Sequence, residues 1–239
     1  MVLEACRFGN ANSMLTAARS TGSAHVEEAM VKQILLDLLL GLKYLHANHV
    51  AHRDIKLENV LLDDALTFKL GDLGSARRID VMLTSFAGTP MYMAPEVCCP
   101  CAAPHPLQTV LVAEVGGSVA PSDSQPLHSS PCDVRVRRQV LFRQPYREKS
   151  DIWSLGHLIY EVCTQERLFT ANTMQSLIQK HDQPYKGIDT GYYSEALACT
   201  VAWLLTQDSE LRPSAQEVLS SPFLRQLLQE QLEELQLRR

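Results

Sequence analysis

The sequence predicts a mainly α fold of the α+β kind, with helices around short β-hairpins and one irregular insertion. Three observations predict it. Met30, Ile34, Leu35, Leu38, Leu42 and Leu45 recur at three- and four-residue steps, the period of an amphipathic helix over residues 26–49. Two short β-prone runs follow, Val60-Leu61-Leu62 and Phe68-Lys69-Leu70, parted by the polar turn Asp63-Asp64. Helical patterning then returns from about Ser150 and continues to the C-terminus.

Each element has a local reason. Glu27 and Glu28 sit in the first turn of the long helix, where carboxylates complement the helix dipole. Residues 71–96 read as an extended loop, broken by Gly71, Gly74, Gly88 and Pro90. Residues 97–145 form an atypical insertion rich in Pro, Ser, Val and Cys, which the sequence assigns to disorder. Val110-Leu111-Val112 and Val140-Leu141-Phe142 have strand character there, but nothing repeats. Cys98, Cys99, Cys101, His105 and Cys132 fit no common zinc spacing. From Phe223 to Arg239 the stripe Leu224, Leu227, Leu228, Leu232 and Leu235 predicts an amphipathic helix, with residues 225–239 as a C-terminal tail.

Composition narrows the function classes. The chain has 239 residues, 46% of them hydrophobic, enough to bury a core of domain size. A net charge of −5 gives no broad basic field, so neither nucleic acid nor an anionic membrane is expected as a partner. The most apolar run, Ile34 to Leu40, is interrupted by Asp37 and is too short to span a bilayer. Met1 to Arg7 lacks the layout of a signal peptide. Seven unevenly spaced Cys suggest a reducing compartment, so a cytoplasmic location is expected, with the cytoskeleton or nucleus as alternatives.

The chemistry is concentrated in four segments in fixed order: His52-Arg53-Asp54-Ile55-Lys56-Leu57-Glu58-Asn59, Asp72-Leu73-Gly74, Gly88-Thr89-Pro90 and Ala94-Pro95-Glu96. Alone, Asp54, Asn59 or Asp72 reads as a turn or cap residue. Together, after a long helix and around a strand pair, they resemble the catalytic loop, metal loop and activation segment of a protein kinase. Ser150-Asp151-Ile152-Trp153-Ser154-Leu155-Gly156 and Leu211-Arg212-Pro213 resemble further segments of its C-terminal lobe. The fold implied is therefore a protein kinase-like C-lobe over residues 1–96 and 146–224. Gly-Asp-Leu-Gly, Gly-Thr-Pro-Met-Tyr-Met-Ala-Pro-Glu, Lys-Ser-Asp-Ile-Trp-Ser-Leu-Gly and Tyr193-Ser194-Glu195-Ala196-Leu197 are together similar to NIMA-related kinases.

The resemblance implies a catalytic set and its cofactors, ATP and Mg²⁺. Asp54 would accept the hydrogen bond of an incoming hydroxyl, and Lys56 would neutralise charge on the transferred phosphoryl group. Asn59 and Asp72 would supply hard oxygen ligands for Mg²⁺. Glu4 and Cys6 of the hinge, with Glu58, Asn59, Leu61 and Asp72, would contact the nucleotide. Lys56 two residues after Asp54, with Thr89, implies a protein substrate carrying a Ser or Thr acceptor. Arg53 would order an activation segment phosphorylated at Ser85 by an activating kinase. Asp151 would tie down the catalytic-loop backbone, and Glu96 would pair with Arg212. His52 reads as a packed structural residue, and Leu73 as an apolar wedge where the family usually has Phe.

Two departures complicate the resemblance. Met1 to Cys6 already resembles the last small-lobe strand and hinge, so the N-terminal lobe is expected to be missing. No segment upstream of the catalytic loop supplies a Gly-rich loop, a strand Lys or its helix Glu. Weak ATP binding and little transfer are expected of this chain by itself, and a kinase-like binding or scaffold module is the rival reading. From Glu96 to Asp151 there are 55 positions, far more than the family needs there. The excess is a real loop, an interaction element or a translated intron.

Overall fold

A computed structural model describes residues 6–20, 22, 25–79, 88–98, 148–181 and 183–237. Glu4, Ser85 and nearly all of the insertion lie outside these residues. Within them the elements are α1 (Ala11–Ser20), α2 (Glu28–Ala47), β1 (Val50–Ala51), β2 (Val60–Leu62), β3 (Phe68–Leu70), β4 (Arg77–Arg78), α3 (Pro95–Cys98), α4 (Glu148–Thr164), α5 (Met174–His181), α6 (Glu195–Leu204), α7 (Ala215–Leu219) and α8 (Pro222–Leu237). Single 3₁₀ turns occupy Leu57–Asn59, Leu73–Ser75 and Pro90–Tyr92. No helix among the described residues is long and apolar enough to cross a membrane.

Two helices form the core. α2 buries Val31, Ile34, Leu35, Leu36, Leu38, Leu39 and Leu42, and α4 buries every residue from Ser150 to Cys163. α2 packs on α4, α7, α8 and β3, and α6 also packs on α4. A helix apolar or buried all round belongs at the centre of a bundle, which is where α4 sits. Met30, read from the sequence as a core position, is 40% exposed, because its neighbour Val31, fully buried, takes the inward place in that turn of α2.

The strands are short. β2 pairs antiparallel with β3 in the register Val60↔Leu70, Leu61↔Lys69 and Leu62↔Phe68. Asp63 closes their turn by accepting from the N–H groups of Ala65 and Thr67, each at 2.9 Å, and its carboxylate meets Lys69 at 2.9 Å. β1 pairs with β4, so residues 71–96, read from the sequence as an extended loop, contain a strand. Helix α1 also escaped the sequence reading. Only Ala11 and Leu15 of its ten residues are buried, too few to show a period. The bridge Asn10↔Leu61 and the bond from Leu62 N–H to Gly9 O hold the entry to α1 against β2. The tail helix ends at Leu237 among the described residues and packs Phe223, Leu224, Leu227 and Leu228 on the core.

Candidate active site

The loop between β1 and β2 is pinned from beneath. Asp151, fully buried on α4, accepts from the backbone N–H of His52 through Oδ2 and from that of Arg53 through Oδ1, both at 2.9 Å. His46, in the last turn of α2, stands 2.9 Å from the same Oδ2. Burial by itself would push the Asp151 carboxyl up, but His46 and the two backbone donors outweigh it and hold it below the ordinary value. Arg53 sits at φ 74, a left-handed conformation that an L-residue rarely adopts, so the clamp falls where the backbone is least comfortable.

His52 is buried, and it links this loop to the next. Its Nε2 lies 2.9 Å from Gly71 O, which can only accept, so the proton is on Nε2. Gly71 N–H in turn donates to Asn59 O at 2.7 Å. Gly71 is gripped on both sides, and a Cβ there would come within 2.8 Å of Leu61 Cδ1. This close packing fixes Gly71, the residue before Asp72, against Asn59.

Around Asp54 every polar atom is engaged. Oδ2 accepts from Lys56 Nζ at 2.8 Å and from Asn59 Nδ2 at 3.0 Å. Oδ1 accepts from the Thr89 hydroxyl at 2.9 Å, and Lys56 Nζ also donates to Thr89 Oγ1 at 3.0 Å. Burial raises the Asp54 carboxyl, but the bonds from Lys56, Thr89 and Asn59 and the Lys56 charge prevail, leaving it below the usual carboxylate range. Thr89 reaches this position because Gly88, at φ 108, lets the chain pass directly over the loop. A Cβ on Gly88 would fall 2.3 Å from Arg53 O.

Asp72 is held differently. It is exposed, lies at φ 52, and its Oδ1 accepts only from Gly74 N–H, at 3.1 Å, among the described bonds. Leu73, read as an apolar wedge beside the metal ligand, is 54% exposed and opens a 3₁₀ turn. Glu58 is exposed, while Leu61 and Cys6 are half-buried.

The end of the segment after Thr89 is fastened to α4 and the chain before α7. Glu96 and Arg212 form a bidentate pair at 2.8 and 3.1 Å, and Ser150 Oγ donates to Glu96 at 2.8 Å. Arg212 is fully buried, and its remaining N–H groups reach the carbonyls of Thr206, Lys149 and Gln207. All five guanidinium donors are thus used. Tyr92 completes the anchorage, donating from its hydroxyl to Glu161 and accepting at its carbonyl from Ser154 Oγ at 2.7 Å. The sequence reading missed His46 and Glu161. Neither lies inside a contiguous motif, although His46 precedes His52 by only six positions.

The protein kinase domain family matches residues 1–107 and 138–224. The chain is 30% identical over 226 residues to the serine/threonine-protein kinase Nek3 of Oryza sativa subsp. japonica, covering 94% of this chain and 31% of that protein. It is 29% identical over 242 residues to human serine/threonine-protein kinase Nek2, covering 95% and 43% respectively. To human Nek5 it is 27% identical over 232 residues, covering 95% and 26%. The chain therefore spans less than half the length of each of these relatives.

Proposed function

Because the chain belongs to the protein kinase domain family, we propose that it carries the serine/threonine phosphotransfer site of such an enzyme, moving the γ-phosphoryl group of ATP to a protein hydroxyl. One observation carries the reading: Lys56, Asn59 and Thr89 converge on the single carboxylate of Asp54. Asp54 orients the acceptor hydroxyl and takes its proton as the bond to phosphorus forms. An acceptor oxygen entering here replaces the Thr89 or Lys56 contact on the carboxylate. Lys56, freed from Asp54 or shared with it, sets a positive charge beside the phosphoryl group in flight. Transfer of this type depends chiefly on position and charge, which preorganised donors supply without reorganisation.

The donor set fits Mg²⁺. Asn59 spends its amide N–H groups on Asp54 O and Oδ2, which leaves Oδ1 as its remaining polar atom. Asp72 presents an exposed carboxylate on the adjoining turn. These are two hard oxygen donors, and Mg²⁺ takes few protein ligands beside phosphate and water. Asn59 and Asp72 would hold the ion, which when bound neutralises phosphate charge. Leu61, Cys6, Glu58 and Glu4 belong in this proposal to the nucleotide side. Phosphorylation of Ser85 by an activating kinase, read through Arg53, is the proposed control. A cytoplasmic location, with the cytoskeleton or nucleus as alternatives, goes with the scattered thiols.

The test is transfer of labelled γ-phosphate to matched Ser, Thr and Tyr peptides. Label on Ser or Thr but not Tyr, lost in Asp54→Asn, supports the reading. Peptide binding without any label would replace it with the scaffold reading.

A further inference from the structure

Helix α6 is apolar on its outward side as well as on its buried one. Leu197, Thr200, Val201 and Leu204 are buried, and the helix packs on α4. Ala196, Cys199, Ala202 and Trp203 are exposed, and Glu195 is the single charged residue of the ten. A surface helix ordinarily sets polar residues opposite its core stripe, so an apolar outward side marks a contact surface. The face is also held firm. Ser194 Oγ caps the helix by accepting from Leu197 N–H at 3.3 Å, and the N–H and hydroxyl of Ser194 each donate to Glu28 at 2.7 Å.

The charge around this face has one sign. Trp203 is 37% exposed in the last turn of α6, where the helix dipole is negative. The chain beyond adds half-buried Asp208 and exposed Glu210, and Leu211 is exposed beside them. Asp208 orders this loop, its Oδ1 accepting from Glu210 N–H at 2.9 Å and its carbonyl from Leu211 N–H at 3.1 Å. Lys149 reaches the Glu210 carbonyl at 3.4 Å, and Arg212 is spent in the core on Glu96. An exposed indole at a negative helix end is a seat for a guanidinium, which uses the ring face and the field together. The molecule makes the same pairing on its inside, where the Arg212 guanidinium lies 5.1 Å from the Trp153 ring.

We propose that the outward face of α6 is a docking surface for a partner protein, which presents a segment carrying arginine beside apolar residues. The arginine lies over Trp203 within the field of Glu210, and the apolar side chains run along Ala202, Cys199 and Ala196. A net charge of −5 attracts such a segment at long range. A second copy of this chain fits the face less well, since α6 carries no cation to offer its twin. The inference stands apart from the phosphotransfer reading, because none of the described bonds joins these residues to Asp54, Asn59, Asp72 or Thr89.

The experiment titrates the full 239-residue chain with a helical peptide of about 14 residues, four turns, bearing Arg and Leu at three- and four-residue steps, and with its twin in which Glu replaces Arg. Binding is read by anisotropy of a labelled peptide. The site is read by acrylamide quenching of tryptophan emission with the unlabelled one, since the second of the two Trp, Trp153, is 1% exposed and Trp203 supplies the accessible signal. The Arg peptide is expected to bind saturably, at least about tenfold tighter than its twin, and to shield Trp203. Trp203→Gln is expected to weaken it about tenfold and Glu210→Lys about fivefold, while Glu230→Lys, an equal change of charge exposed on α8, leaves it in place. Thermal melts matching wild type establish that the variants are folded, and Glu210→Lys, in an exposed loop, decides the matter if Trp203→Gln melts early. Equal affinity for the two peptides, no saturable binding, or binding that leaves Trp203 open to acrylamide overturns the proposal. So does a dimer in sedimentation equilibrium that Glu210→Lys or Trp203→Gln dissociates, which would give the face to a second copy.

Discussion

Asp54 and Asp72 are two aspartates of the proposed site, on loops joined by the β2–β3 hairpin, and the fold treats them in opposite ways. Asp54 has both oxygens occupied by Lys56, Asn59 and Thr89, on a loop clamped from below by Asp151. Asp72 is exposed at a left-handed residue, with Gly74 N–H as the described partner of its side chain. The difference teaches where order comes from. The helical core sets the geometry around Asp54 before any ligand arrives. Asp72 is brought to its place by Gly71 but is left to be oriented by what binds it. Changes beneath Asp54 should therefore cost stability, and a change at Asp72 should cost binding alone.

The largest effect is expected farthest from the reacting atoms. Arg212→Ala leaves Glu96 buried without its cation, and unpairing one side of such a pair destabilises by about 3–5 kcal/mol. Urea unfolding should show this directly, and a loss under 1 kcal/mol would mean the anchorage of residues 92–96 is ornamental. Next is Asp151→Asn. It puts an amide where three N–H donors converge, leaving at least one unsatisfied at a cost of about 1–3 kcal/mol. It should also loosen residues 52–54, seen as faster amide hydrogen exchange there than in β2.

The core beneath Tyr92 gives a pH-dependent version of the same contrast. His157 is fully buried, its Nε2 accepts from Leu168 N–H at 3.2 Å, and its ring lies 4.7 Å from that of Tyr92. Burial, with the charges of His181 and Arg167, pushes its pKa down to about 3 from 6.5. The folded state keeps His157 neutral while the unfolded chain takes up a proton near pH 6.5. Its contribution is therefore intact above pH 6.5 and is lost as pH falls toward 3, at about 1.4 kcal/mol per pH unit. His157→Leu should flatten the fall in stability between pH 6.5 and 4.5, and an unaltered slope would assign acid sensitivity to other groups. The smallest stability change is expected for Asp72→Ala, within about 0.5 kcal/mol of wild type because little rests on that side chain.

The same contrast explains what the sequence could disclose. Asp54, Lys56, Asn59, Asp72, Thr89, Glu96, Asp151 and Arg212 were legible because each falls in a short segment whose residue types are tied to one task. Helix α2 was legible from its leucines, apart from the turn at Met30. Helix α1 was not, since two buried side chains leave no period, and β4 was not, since Arg77 and Arg78 are both exposed. His46 meets Asp151 across 105 positions and Arg19 meets Gln165 across 146. Such meetings depend on how helices pack, which local patterning does not encode.

Calorimetric titration of the chain with Mg²⁺-ATP tests the central claim most directly, run on wild type, Asp72→Ala and Asp54→Asn. The account predicts Mg²⁺-dependent binding that Asp72→Ala abolishes and Asp54→Asn retains. Binding that survives Asp72→Ala unchanged, or no binding by the wild-type chain at any Mg²⁺ concentration, would contradict it.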